Sequence, residues 1–149
     1  NREWGISSMK KSPEVHLVVK AMRRTGLDFH LDVNGDEEIP YNFLIGFEGI
    51  PKPKKALVEQ AARFAKAMER ISPDFQTRHG YPKVEAGKAD MTVSSNFIAQ
   101  AFKRVSMTLE MPFKDNRNLP DRRQGWSPER CIRLGRAFVD GLYEVAKEL

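Results

Sequence analysis

The carboxylate of Glu110 lies in Thr108-Leu109-Glu110-Met111-Pro112-Phe113, where apolar and polar residues alternate. A carboxylate ending an apolar strand is costly unless it is solvated or paired. Partial burial would raise its pKa and suit it to general-base work. The alternative is a structural carboxylate paired with a lysine or arginine. His30, Asp32 and Asn34 alternate along a second run and so share one strand face, from which they could reach a metal. His30 also reads as a packed core histidine. His16 sits among valines in a helix, and His79, beside Arg78 and Tyr81, is the most accessible of the three histidines. Asn34-Gly35-Asp36-Glu37 carries turn-forming residues. No HxxE, HExxH, CxxC, GxGxxG, P-loop or GxSxG occurs, so these residues alone carry no strong zinc signature.

These side chains need elements to hold them. Ser12-Pro13-Glu14 reads as a helix start, with serine as cap, proline in the first turn and an acid at the positive dipole end. Val15, Val18, Val19 and Met22 follow at helical spacing until Gly26. Phe29, Leu31 and Val33 alternate with polar residues as in a strand that Gly35 breaks, and Tyr41 to Phe47 forms a second β-rich run. Leu57, Ala61, Phe64, Met68 and Ile71 stripe a second helix. A polar stretch from Asp74 to Asp90 is long enough to be functional or mobile. A third helix turns Val93, Phe97, Ile98, Ala101 and Phe102 inward, and Val105 to Met111 is a strand stopped by Pro112. Lys114 to Gln124 is a polar loop. Ser127-Pro128-Glu129 repeats the helix opening ahead of Cys131, Leu134, Phe138, Leu142 and Val145. The order is close to αββαααβα and predicts an α/β sheet covered by helices. Ligands of such sheets gather beyond the carboxyl ends of the strands, where Asn34 and Glu110 stand if their strands run parallel.

The chain has 149 residues, with 25 Lys and Arg against 20 Asp and Glu, so the net charge is +5. This is the size of one domain or a large piece of one. The composition excludes collagen-like and strongly disordered chains, and no apolar run is long enough for a membrane span. A single cysteine, Cys131, forms no internal disulfide and fits a reducing, cytoplasmic compartment. The start, Asn1-Arg2-Glu3-Trp4, carries no signal-peptide pattern and reads as cut from something longer. Basic residues alternate with acids along the helices, as Glu59, Arg63, Lys66, Glu69 and Arg70 do, which is the pattern of a solvated face.

Taken in order, NREW (1–4), SPEV (12–15), LDVNGDE (31–37), PYNF (40–43), SPDFQ (72–76), HGYP (79–82), TLEMPFKDN (108–116) and GWSPER (125–130) resemble the C-terminal part of zinc metallocarboxypeptidases. The resemblance is to the bacterial branch similar to cytosolic, deglutamylase-like carboxypeptidases, and it covers nearly all of residues 1–149. It implies a mixed, mostly parallel sheet covered by helices, forming the C-terminal part of one catalytic domain. It further implies that Asn1 and Arg2 hold the free carboxylate of a peptide C-terminus, for which the planar guanidinium fork is suited. Glu110 would take a proton from a metal-bound water and pass it to the leaving amine, and Tyr81 would match a mobile loop tyrosine. Asn34 stands where the family has its third zinc ligand, a histidine, and the HxxE that supplies the other two is not in this chain.

The resemblance therefore implies zinc as cofactor and peptide or protein C-termini as substrates. The ligand departures imply weak or absent zinc binding, and hence silence, for this chain alone. A piece of such a sheet would expose an edge and apolar surface, calling for the rest of the domain or self-association. The second reading is a non-catalytic relative that binds peptide C-termini, which Asn34 favours. A nucleic-acid module rests on charge alone and has no motif behind it, and no membrane partner is expected.

Overall fold

The computed structural model describes residues 2–148. Its elements are α1 (Pro13–Thr25), β1 (Phe29–Asp36), β2 (Phe43–Ile45), α2 (Lys55–Ile71), α3 (Ser94–Phe102), β3 (Val105–Pro112) and α4 (Pro128–Val145). A single 3-10 turn, Ala146–Glu148, follows. The order is αββααβα, with two helices rather than three between β2 and β3. The described residues contain no helix long and apolar enough to cross a membrane.

The three strands lie in the order β1-β3-β2. β1 and β3 run parallel in register from Phe29↔Val105 to Asp36↔Pro112, and β2 lies antiparallel on the other edge of β3. The sheet is thus mixed, and most of its pairing is parallel. The strand period sends Phe29, Leu31, Val105, Met107 and Leu109 to one face, where they join the core with α2 and α4. Phe64 of α2 meets Phe138 of α4 edge to face at 5.6 Å. Gly141 lets α4 close on α2, since a Cβ there would lie 2.8 Å from the Met68 sulfur.

His30, Asp32 and Ser106 line the opposite face, which α3 and the N-terminal segment cover. Burial here demands partners. His30 Nδ1 bonds Ser106 Oγ at 2.9 Å, and Ser94 at the start of α3 donates to Asp32 at 2.5 Å. The Trp4 ring packs edge-on to His30 at 5.8 Å.

Several sequence expectations need correction. β1 continues through Gly35 to Asp36, so Asn34-Gly35 is strand rather than turn. A Cβ at Gly35 would lie 2.2 Å from the exposed Phe113 ring, which would have to swing aside. The turn begins at Asp36, whose Oδ1 accepts from the amides of Glu38 (2.6 Å) and Ile39 (3.0 Å). β2 is only three residues long. Pro13 and Pro128 open their helices as expected, but neither serine hydroxyl caps an amide. Ser12 Oγ is buried without a partner, and the Ser127 hydroxyl serves the Glu129 carboxylate. On α3 it is Ser94, Ser95, Ile98 and Ala99 that are buried, and Ala101 faces out. On α1 only Val19 is buried among the four expected residues.

Among the described residues nothing pairs with the outer edge of β1. Val33 and Phe113 beside it are 54% and 65% exposed, as are Leu17 (50%) and Val18 (43%) on α1.

Candidate active site

Because β1 and β3 are parallel, their carboxyl ends reach the same sheet edge. There Asn34 and Glu110 are register partners and so point to the same side. Both line a cavity of about 920 Å³, together with Arg2, Phe43, Gly80 and Tyr81. Four residues singled out in the sequence thus share one space, although 108 positions separate Arg2 from Glu110. Asn1 lies outside the described residues.

Glu110 is half-buried, and its pKa is pushed up to about 7. Desolvation is the main cause, and the charges of Asp36 and Asp32 add to it. It has no arginine or lysine partner within ion-pair distance among the described residues, so the structural-carboxylate alternative lacks its cation. A carboxyl group that changes state near neutral pH can both accept and return a proton.

Tyr81 is fastened. Its hydroxyl donates a short hydrogen bond to Asp36 Oδ2, and its ring meets Phe43 edge to face at 5.4 Å. That bond holds the phenol's pKa well above its ordinary range, with burial and the nearby carboxylates adding. Burial alone would raise the Asp36 carboxyl, but the Tyr81 hydroxyl and the Ile39 and Glu38 amides outweigh it and hold it low.

The stretch from 77 to 90 is irregular but strapped down. Gln76 is 3% exposed, and its amide makes four hydrogen bonds. Nε2 donates to the carbonyls of Asn42 (3.0 Å) and His79 (2.9 Å). Oε1 accepts from the amides of Arg78 (2.8 Å) and His79 (2.7 Å). Further on, the Gly87 and Ala89 amides both donate to the Gly49 carbonyl at 2.9 Å. His79 is exposed, as expected, and stacks on Tyr41 at 4.2 Å. Gln76→Ala is expected to cost about 2–3 kcal/mol by stranding buried backbone groups. Urea denaturation would show the loss, with faster proteolytic cutting between residues 77 and 84.

Arg2 Nη1 donates to Asp90 Oδ2 at 3.3 Å, both side chains being exposed. Asp90 is itself fixed by two bonds from Thr92, of 2.9 and 2.6 Å. The guanidinium therefore rests on a carboxylate at the cavity mouth.

The metal that the resemblance implies does not fit these residues alone. Among the described residues no three His, Cys, Asp or Glu side chains are grouped to hold an ion. His30 is engaged by Ser106, Asp32 by Ser94, and Asp36 by Tyr81 and two amides. Asn34 offers only an amide oxygen, a poorer zinc donor than imidazole.

Asp36, Gln76 and Asp90 were not recognised as site residues from the sequence. Asp36 had a signal, being two positions from Asn34 on the same strand face, but the turn reading of Asn34-Gly35 hid it. Gln76 and Asp90 had none, since their partners lie across the fold.

A mixed sheet with helical cover, with a carboxylate at the carboxyl end of its central strand, defines an α/β architecture. No family sequence model matches the chain. An uncharacterised protein of Zymomonas mobilis is 46% identical over all 149 residues, which cover 39% of its length. A metallo-carboxypeptidase from Pseudomonas aeruginosa, solved in complex with (2-guanidinoethylmercapto)succinic acid, is 39% identical with a TM-score of 0.97. The match covers 99% of this chain and 39% of that one. A metallo-carboxypeptidase from Burkholderia cenocepacia is also 39% identical, with a TM-score of 0.94 over 100% of this chain and 39% of that one. Over nearly its whole length the chain is thus similar to metallo-carboxypeptidases, and it spans about 39% of the length of these relatives.

Proposed function

We infer that the chain is the C-terminal part of a carboxypeptidase catalytic domain and supplies the proton-transfer and carboxylate-anchoring side of a site that removes C-terminal residues from peptides. The observation that carries this reading is one cavity holding Glu110, pushed up to about 7, and the guanidinium of Arg2. Arg2 grips the terminal carboxylate, exchanging its contact with Asp90 for a charge-assisted pair. Glu110 accepts a proton from the attacking water and returns it to the departing amine. Tyr81, held by Asp36 and Phe43, walls the bound residue in. Lys66 and Arg78 also line the cavity with no ion pair among the described residues, which suits an acidic C-terminal side chain.

In this reading the ligands for a zinc ion lie mainly outside these 149 residues. The rest of the domain, or a second copy, covers the open edge of β1. A cytoplasmic site of action goes with the single cysteine. Asn34 favours a second reading, a relative that holds peptide C-termini without cutting them. Metal analysis of the whole protein separates the two: tight stoichiometric zinc supports the enzyme, and its absence supports the binder.

Anchoring is common to both readings and is testable on this chain. A labelled peptide with a free C-terminus is expected to bind about tenfold more tightly than its C-terminal amide, and Arg2→Gln is expected to erase that preference. Fluorescence anisotropy would measure both. Equal affinity of acid and amide for the unaltered chain would remove the anchoring role.

A further inference from the structure

The loop of residues 114–125 is heavily braced and holds none of the candidate site residues. The Arg130 guanidinium fills its centre, donating to the Leu119 carbonyl at 2.6 Å, the Gly125 carbonyl at 3.0 Å and Asp115 Oδ1 at 3.2 Å. The Asp115 carboxylate also accepts from the Asp121 amide, at 3.2 and 3.3 Å. Asp121 Oδ1 in turn accepts from the amides of Arg123 (2.9 Å) and Gln124 (3.1 Å). The base is closed by Trp126 N to the Lys114 carbonyl at 2.7 Å. Gly125 makes this closure with φ at +63°, and a Cβ there would lie 2.4 Å from the Lys114 carbonyl oxygen.

Both acids of the loop are therefore spent on its own backbone and on Arg130. The cations are not. Arg122 and Arg123 are exposed and, with Arg133 of α4, line an open hollow of about 380 Å³ beside Leu119 and Pro120. No carboxylate forms an ion pair with these three among the described residues. Glu129, one helical turn before Arg133, is held by its own amide and the Ser127 hydroxyl and offsets part of the Arg133 charge without pairing with it. Three like charges held by a rigid scaffold repel one another, and a carboxylate-bearing partner would relieve that repulsion with little further ordering.

We propose that Arg122, Arg123 and Arg133 form a docking surface for a run of acidic side chains on a polypeptide. Guanidinium forks match carboxylates in paired hydrogen bonds. The hollow has no aromatic ring on which a base could stack, which disfavours single-stranded nucleic acid. The surface does not depend on the peptide cavity or on any metal. It also places part of the basic excess that charge counting along the helices left as ordinary solvated surface.

The probe is a labelled oligo-glutamate, acetylated and amidated at its ends so that it offers no terminal carboxylate to Arg2. It is expected to bind the chain with an affinity that falls as salt rises. Arg122→Glu/Arg123→Glu is expected to weaken binding at least about tenfold. Lys10→Glu/Lys20→Glu, which changes net charge equally on α1 and the turn before it, away from the residues that line the hollow, is expected to weaken it less than about twofold. Circular dichroism confirms that each variant is folded. Equal loss in both double variants, tighter binding of an oligo-thymidylate of matched charge, or no binding of the oligo-glutamate would each overturn the proposal.

Discussion

Glu110→Gln is expected to separate activity from stability in opposite directions. In the whole protein, loss of the proton acceptor should lower hydrolysis by about 10²–10⁴-fold. The fold should gain stability at neutral and alkaline pH. The folded pKa of Glu110 lies near 7, above the ordinary glutamate value of 4.5. Between those values the unfolded chain has released the proton while the folded chain still holds it. Stability therefore falls as pH rises from about 4.5 to about 7, and is level above that. A shift of this size corresponds to about 3 kcal/mol, which solvent screening of a half-exposed carboxylate reduces to about 1 kcal/mol. Glutamine removes this penalty. Melting curves should thus show variant and unaltered chain alike near pH 4 and the variant ahead at pH 8. A variant less stable at pH 8 would mean that the Glu110 charge is compensated by a partner, which contradicts the poised base.

Arg130→Ala is expected to be the most damaging single change to the fold. Arg130 and Asp74 are both 4% exposed, and they pair within a network that includes Asn116, Asn42 and Gln76. Asn116 and Asn42 both donate to the Asp74 carbonyl, at 2.7 and 2.9 Å. The guanidinium also lies 5.0 Å from the centre of the Trp126 ring. Its removal would leave the Asp74 charge buried and the carbonyls of Leu119 and Gly125 without their donor. Such a loss costs about 3–5 kcal/mol, a large share of the 5–15 kcal/mol that holds an ordinary domain. Chemical denaturation should show it directly. Arg130→Lys should recover little, because one ammonium cannot serve Asp74, Asp115 and two carbonyls in the geometry of a planar fork. Because Gln76 follows Asp74 by two positions, the same variant should loosen the strap that carries Tyr81.

Much of this molecule was legible in one dimension. Helix openings at Pro13 and Pro128, the stripe of α2 and the alternation of β1 and β3 are local patterns. They report which face is apolar and with what period, and that information survives without knowing the fold. Glu110 at a strand end, Arg2 and Asn34 stood out because residue type and a run of short motifs carried them, and all three line one cavity. The parallel pairing of β1 and β3 was not, since register is settled by partners some 76 positions apart; it is that pairing that sets Asn34 beside Glu110. The burial that lifts the Glu110 pKa, the Asp36–Tyr81 bond and the Arg130 network are likewise products of distant segments meeting. Arg130 stood only as the last residue of the GWSPER motif, and Gly35 as a break. A side chain's type is written along the chain, but its solvation and its partners depend on what packs around it, and only the folded chain brings those groups within a few ångströms.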